Sequence, residues 1–338
     1  MATRSIAIGR VPSPNAERKS VTDLTDQIID FGPKFAEGGQ SDVYAASLPR
    51  PGGTVERVAI KVLRGIPDDE QDNENIKRND LTYDFASEST CRVTWLWQSL
   101  KHANALAFYG VYRKDGITSG LVVPRCECDI SRYLKINPDA HKVKLLLGAA
   151  EGAIYLHAND VVHGDIKPVW YFLSRSLSWW RLMRSRHCSA TFSSKMKLLP
   201  WLTSTPLESL ALKASLLTCR YASPEVLLSE EPDEPQTSEY LSETNLTPKS
   251  DVYSLAMSIL EILDGTMPFP KQRSDPTAIL CIGSGKRPTR EEHGNMARLP
   301  YDIWPFLEKC WDKEPTERPE MSEVISAALN PLLSAGVL

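Results

Sequence analysis

The chain has 338 residues, of which 42% are hydrophobic and 24% are charged. This composition is typical of a soluble globular protein, and the length suits one large domain or two modest ones. The formal net charge of −4 provides no general attraction to nucleic acids or to anionic membranes. The most apolar run, residues 145–156, contains Glu151 and is shorter than the ~20 residues that a membrane span requires. A membrane partner is therefore not expected.

The seven cysteines are scattered, and their spacing fits neither a disulfide framework nor a zinc site. Cys126 and Cys128 are close in sequence but lack a second pair of ligands. The first 20 residues contain no apolar stretch of the kind that a secretory signal requires. We therefore expect a reducing compartment, namely the cytoplasm, with the nucleus as the alternative.

The amino-terminal half of the chain begins with a polar segment. Residues 1–28 include Pro12 and Pro14 and are predicted to be a mobile lead-in, so that order begins near Ile29. Short β-type runs follow, such as residues 58–62 and 107–112. They surround one helical stretch near residues 85–100, which indicates a small, strand-rich lobe.

Helical periodicity dominates after residue 124. Residues 143–157, 251–263 and 304–311 all place apolar side chains at helical spacing, which predicts a larger helical lobe. Residues 169–215 interrupt this pattern. They contain four of the eight tryptophans, and no acidic residue occurs between Asp165 and Glu208.

Two amino-terminal motifs are suited to binding phosphate. Residues 35–44, with the sequence FAEGGQSDVY, place the small residues Gly38 and Gly39 where a backbone hairpin could approach phosphate oxygens. Lys61 ends a Val-Ala-Ile-Lys run, which follows this loop at the distance expected for the third strand. An ordinary β-turn and an exposed strand lysine are the alternative interpretations. Together the motifs resemble the glycine-rich loop and V-A-I-K motif of eukaryotic protein kinases. The resemblance implies that Val43 packs on adenine and that Lys61 holds the α- and β-phosphates of ATP.

Residues 163–168, with the sequence HGDIKP, resemble the catalytic loop of the same family. The resemblance implies that Asp165 accepts the proton of the substrate hydroxyl and that Lys167 steadies the transferred phosphoryl group. Lysine two positions after the aspartate is typical of serine/threonine kinases. Gly164 replaces the usual arginine, so a phosphorylated activation loop would lack its normal cationic anchor.

Three further motifs follow in the order that the kinase family requires. Residues 218–225, with the sequence TCRYASPE, resemble the substrate-docking threonine and the A-P-E motif. Asp251 corresponds to the residue that braces the catalytic loop. Arg318, in a Cys-Trp-x-x-x-Pro-x-x-Arg-Pro signature typical of tyrosine kinase-like and tyrosine kinases, is expected to pair with Glu225. The resemblance covers residues 30–168 and 216–330.

Further positions that the family uses carry a different residue here. The glutamate that pairs with the strand lysine is expected where Val93 stands, and Glu88 is the nearest candidate, about 140° around the helix. Trp170 occupies the place of an asparagine that binds magnesium, and no aspartate lies between Asp165 and Asp233. Two explanations remain open: a pseudokinase that lost its metal site, or a gene-model fault such as a frame error or a retained intron.

The resemblance implies a two-lobed α+β protein kinase fold. We expect the kinase domain over residues 29–330, with a small lobe at 29–123, a hinge at 124–128, a large lobe at 129–330 that includes the atypical residues 169–215, and a tail at 331–338. The implied activity is ATP-dependent phosphorylation of serine or threonine in protein substrates, with ATP and Mg2+ as cofactors. The alternatives are a pseudokinase scaffold and, as a minor hypothesis, nucleic-acid binding by the basic residues between 175 and 197.

Overall fold

The computed structural model describes residues 21–37, 41–63, 88–114, 117–126, 128–168, 219–228 and 246–337. These residues fall into two compact units. We call the described residues up to Cys128 the small unit and those from Asp129 onward the large unit. The architecture is the expected two-lobed α+β fold, with the strands in the small unit and most of the helices in the large one.

The small unit is a five-stranded antiparallel sheet with one α-helix. The strands lie in the order β1-β2-β3-β5-β4, and each neighbouring pair is antiparallel. The elements in chain order are β1 (Lys34–Glu37), β2 (Ser41–Pro49), β3 (Val55–Leu63), α1 (Glu88–Ser99), β4 (Gly110–Lys114) and β5 (Ile117–Pro124).

Alternation along the strands gives the sheet two distinct faces. Val58 and Ile60 of β3 pack on one face in an apolar cluster with Val122 of β5. Because side chains alternate along a strand, Ala59 and Lys61 point to the opposite face. Leu24, which precedes β1, is buried in the same cluster as Ile60. The predicted start of order at Ile29 is therefore too late, since Leu24 and Ile28 already pack in the cluster on the sheet.

The predicted helix near residues 85–100 is confirmed as α1, whose end is held by Trp97. The indole of Trp97 donates a hydrogen bond to the carbonyl oxygen of Leu106 at 2.9 Å and stacks on the ring of Phe108, with centroids 4.8 Å apart. The strand predicted for residues 107–112 begins only at Gly110, so the first part of that prediction is wrong. The apolar residue Phe108 packs on the helix and not in the sheet.

The large unit is helical, as predicted. The predicted helices at residues 143–157, 251–263 and 304–311 are confirmed with slightly different ends. Its α-helices are α2 (Ile130–Ile136), α3 (Lys142–His157), α4 (Pro224–Leu227), α5 (Pro248–Asp264), α6 (Asp275–Gly283), α7 (Trp304–Cys310), α8 (Met321–Val324) and α9 (Asn330–Ser334).

Helix α5 forms the centre of the large unit. Every residue from Ser250 to Leu260 is buried, which requires packing on all sides of the helix. Thr247 caps the amino terminus, because its hydroxyl accepts from the backbone of Ser250 while the Ser250 hydroxyl accepts from the backbone of Thr247. The carboxyl-terminal boundary predicted at residue 331 falls inside α9, where Leu332 is fully buried against this core.

Two guanidinium groups lie near the ring of Tyr253 on α5. The Cζ atom of Arg287 is 5.6 Å from the centroid of the ring, and the Cζ atom of Arg318 is 5.2 Å from it. Burial raises the pKa of the Tyr253 phenol, so the hydroxyl stays protonated. Within the described residues this buried hydroxyl has no hydrogen-bond partner. A buried polar group without a partner reduces stability, because its hydration is lost without compensation.

Replacing Tyr253 by phenylalanine is therefore expected to stabilise the protein. Tyr253→Phe keeps the ring near the two arginines and removes the uncompensated hydroxyl, which should raise the free energy of unfolding by about 1 kcal/mol. Tyr253→Leu, the control that removes the ring, should lower it by roughly 2 kcal/mol or more. Thermal unfolding measures both, and a less stable phenylalanine variant would show that the hydroxyl is satisfied.

Candidate functional site

Lys61 lies on the face of the sheet opposite the apolar cluster. Its position on β3 is paired with Val43 on β2 and with Leu121 on β5, so these side chains share one face. Val43 and Leu121 are buried, and Lys61 is only 7% exposed. A mostly buried ammonium is costly without compensating charge. The alternative of an ordinary exposed strand lysine is therefore wrong, and the structure brings together the two residues expected to contact adenine and phosphate.

The side chains or the whole of the other predicted nucleotide-binding residues lie outside the described part of the chain. Gly38 and Gly39 lie outside the described residues. Glu88 is the first residue of α1, and its side chain is not described. Because α1 continues without interruption to Ser99, Glu88 and Val93 stay about 140° apart around the axis. A Lys61–Glu88 pair remains a prediction.

The predicted catalytic loop is held by a buried carboxylate on α5. Asp251 accepts hydrogen bonds from the backbone N–H of His163 at 2.7 Å and of Gly164 at 2.8 Å. The Nε2 atom of His157, at the end of α3, lies 2.8 Å from the same carboxylate. The predicted bracing role of Asp251 is confirmed. Sequence reasoning missed His157, although its position at the end of an apolar helix just before the loop was a usable signal.

Gly164 makes the loop conformation easy to adopt. Its φ of +72° lies in the left-handed region, which disfavours residues with a Cβ atom. The backbone N–H of Asp165 then donates to Nδ1 of His163 at 3.3 Å. Burial lowers the pKa of His163, although nearby Asp251 and Asp165 act in the opposite direction. A neutral imidazole leaves Nδ1 free to accept this bond.

Asp165 and Lys167 form an ion pair within the loop. The Lys167 Nζ atom lies 3.3 Å from Oδ1 of Asp165, and each side chain is 7% exposed. Ile166, between them, is buried in the core of the large unit. Because the loop is anchored on both its backbone and this apolar residue, the carboxylate and the ammonium are held in fixed places. A carboxylate acceptor beside an ammonium can orient a hydroxyl and neutralise developing negative charge.

A comparison with protein-family models matches residues 32–329 to the protein kinase domain. The chain belongs to the protein kinase family. It resembles the serine/threonine kinases in particular, at modest identity. It is 23% identical to serine/threonine-protein kinase STY46 of Arabidopsis thaliana over 93% of this chain and 46% of that protein. It is 24% identical to serine/threonine/tyrosine-protein kinase HT1 of the same plant, over 92% of this chain and 68% of that protein.

A further match is serine/threonine-protein kinase 12 of Arabidopsis thaliana, at 26% identity over 80% of this kinase and 50% of that protein. The chain thus spans about half the length of STY46 and of serine/threonine-protein kinase 12. Within the described ranges, no helix of this kinase has both the length and the apolar character needed to cross a bilayer.

The described part of the kinase holds no group of three or more His, Cys, Asp or Glu residues arranged to bind a metal ion. The position of Trp170, where magnesium-binding asparagine is expected, lies outside the described residues. Asp165 is the acidic residue of the described catalytic loop, and it is already paired with Lys167. The described residues therefore offer Asp165 but no cluster of three such side chains for a metal ion.

The A-P-E glutamate and the closing arginine form the expected pair in the large unit. Arg318 donates from Nη1 and Nη2 to the two oxygens of Glu225, at 2.7 and 2.9 Å. The guanidinium also donates to the carbonyl oxygens of Asp312 and Lys249, which completes its hydrogen bonding in the interior. Burial acts to raise the pKa of Glu225, but the hydrogen bonds and positive charge of Arg318 outweigh it and lower the pKa below its ordinary value of 4.5.

The Glu225–Arg318 pair should make the free energy of unfolding depend on pH in the acidic range. A carboxyl group whose pKa is lowered by folding stabilises the native state above its unfolded pKa, and that contribution disappears as the pH falls through the folded value. Glu225→Gln should therefore cost roughly 2 kcal/mol at pH 7, and the difference from wild type should shrink below about pH 4.5.

Chemical denaturation between pH 7 and pH 3 measures this difference. Glu317→Gln, at an exposed site in the same region, is the matched control and should leave the profile unchanged. A Glu225→Gln deficit that is the same at every pH would contradict the ionic character of the pair.

Proposed function

We propose that this kinase domain binds ATP and transfers the γ-phosphoryl group to serine or threonine hydroxyls of protein substrates. The observation that carries the proposal is the Asp165–Lys167 pair, held at 3.3 Å in a loop that the Asp251 carboxylate braces. In this reaction the bond from the γ-phosphorus to the ADP oxygen breaks and a bond from the substrate oxygen to phosphorus forms. The hydroxyl proton passes to the Asp165 carboxylate.

Each charged residue has a separate role in this proposal. Lys61 neutralises the α- and β-phosphates, and Val43 on the same sheet face provides an apolar surface for the adenine. Lys167 counters the negative charge on the phosphoryl group during transfer. Lysine at position 167 supports Ser/Thr substrates, and so does the similarity to relatives that are named serine/threonine-protein kinases.

Kinases in general use ATP together with Mg2+, which supplies positive charge at the phosphates. Within the described residues, no group of three or more His, Cys, Asp or Glu side chains is arranged to hold that ion. The reducing environment proposed for the protein is the cytoplasm, because the five cysteines in the described ranges are buried and form no disulfide with one another.

The second candidate function is a pseudokinase that binds nucleotide or a protein partner without turnover. It is favoured by Trp170 at the asparagine position and by the lack of any aspartate in the sequence between Asp165 and Asp233. Phosphoryl transfer depends strongly on neutralising the phosphate charge, so loss of metal ligands would remove catalysis before it removed the fold.

Phosphorylation of a generic protein substrate by purified protein in Mg·ATP tests the proposal. Wild type should transfer phosphate, and Asp165→Ala and Lys61→Ala should each lower the rate by roughly a hundredfold or more. Asp139→Ala and Lys286→Ala, at exposed positions, are matched controls that should keep the wild-type rate. Equal transfer by wild type and Asp165→Ala would refute the role of Asp165.

Thermal shift with ATP separates the two candidates. Ligand at about 100 times its Kd should stabilise the binding-competent protein by ~2.7 kcal/mol. Stabilisation that needs magnesium, together with turnover, supports the enzyme. Stabilisation by ATP alone without any turnover supports the pseudokinase.

A further inference from the structure

The segment that precedes β1 is bound to the sheet along its length. We call residues 21–32 the N-terminal strap. Along β4, the Val111 N–H donates to the Thr22 carbonyl oxygen and the Leu24 N–H donates to the Val111 carbonyl oxygen, both at 2.9 Å. Along β2, Ile29 and Ser47 exchange two backbone hydrogen bonds of 2.9 Å. The strap therefore crosses from one side of the sheet to the other.

The strap is also bonded to helix α1 through a single side chain. The amide of Gln98 uses both of its ends: Oε1 accepts from the backbone N–H of Thr22 at 3.2 Å, and Nε2 donates to Oγ1 of Thr22 at 2.6 Å. The same Nε2 donates to the carbonyl oxygen of Tyr109 at 3.1 Å, just before β4. Gln98 thus links α1, the strap and the start of β4 at one point.

Strand β4 is shaped to receive the strap. A Cβ atom on Gly110 would lie 2.2 Å from the Thr22 carbonyl oxygen, so only glycine permits the strap to come this close. Three residues on, Arg113 pairs with Asp23 at 2.9 Å, and its backbone N–H donates to Oγ1 of Thr25 at 2.8 Å. These contacts fix the strap in register with β4.

If the strap only covered the apolar face of the sheet, it would not need these polar contacts. Burial of Leu24 beside Ile60 and Val122 already excludes water from that face. The polar bonds of Gln98 add nothing to the cover, because they run to the end of α1. These bonds instead tie the strap to α1, the helix that begins at Glu88.

We propose that the N-terminal strap positions α1 through the Thr22–Gln98 contact and so sets the place of Glu88 relative to Lys61 within the small unit. Gln98 and Thr22 are positioning residues in this account, and neither contacts the nucleotide. The effect on ATP rests on the proposed function, whereas the effect on α1 does not. Thr22 is exposed, so a modification or a partner that engages its hydroxyl would act directly on α1.

Hydrogen exchange of the α1 amides tests the positioning without any nucleotide. Thr22→Val keeps the shape of the side chain but removes the hydroxyl that accepts from Gln98, and Gln98→Leu removes the whole link. Each should speed exchange in the last turn of α1 by about fivefold, the effect of losing about one hydrogen bond. Thr22→Ser should restore the wild-type rate.

Thr54→Val, at an exposed threonine between β2 and β3, is the matched control and should leave α1 unchanged. Unaltered exchange in Thr22→Val, or acceleration spread equally over β2 and β3, would overturn the proposal. If wild type turns over, Thr22→Val should raise the apparent KM for ATP while kcat changes little. Absence of turnover in wild type would instead refute the proposed function and leave the exchange result to decide the role of the strap.

Discussion

The candidate active site depends on one constraint: the buried carboxylate of Asp251 accepts hydrogen bonds from two backbone N–H groups of the catalytic loop. Asp251 is fully buried on α5, whose own residues are enclosed on all sides, so the carboxylate cannot move without disturbing the core. Its bonds to His163 and Gly164 fix the turn that presents Asp165. A buried charge needs several hydrogen bonds to be tolerated, and here those bonds come from the catalytic loop itself.

The small unit shows a comparable arrangement with uncharged groups. The buried cluster under β3 holds the strand that carries Lys61, and the stacked rings of Trp97 and Phe108 anchor the end of α1. The Gln98 amide then joins that helix to the strap. In both units, therefore, hydrogen bonds between a helix side chain and the backbone of a neighbouring segment hold the two in place relative to each other.

Motif order predicted the family, the fold, and the placements of Lys61, Asp251 and the Glu225–Arg318 pair, because these residues have fixed structural roles in kinases. The strap escaped prediction, since Thr22 and Gln98 are 76 residues apart and neither forms a recognisable motif. Polar composition alone suggested a mobile segment there. The start of the strand at Gly110 was missed because apolar spacing does not distinguish Phe108 stacked on a helix from a residue of the sheet.

A double-substitution cycle of Asp251→Asn and Asp165→Ala on the rate of phosphoryl transfer tests the central claim most directly. If Asp251 acts by holding the loop that presents Asp165, Asp251→Asn should lower the rate in the wild-type background and have little further effect once Asp165 is alanine. Equal fractional losses in the two backgrounds would contradict the account, because they would show that Asp251 contributes to the reaction independently of Asp165.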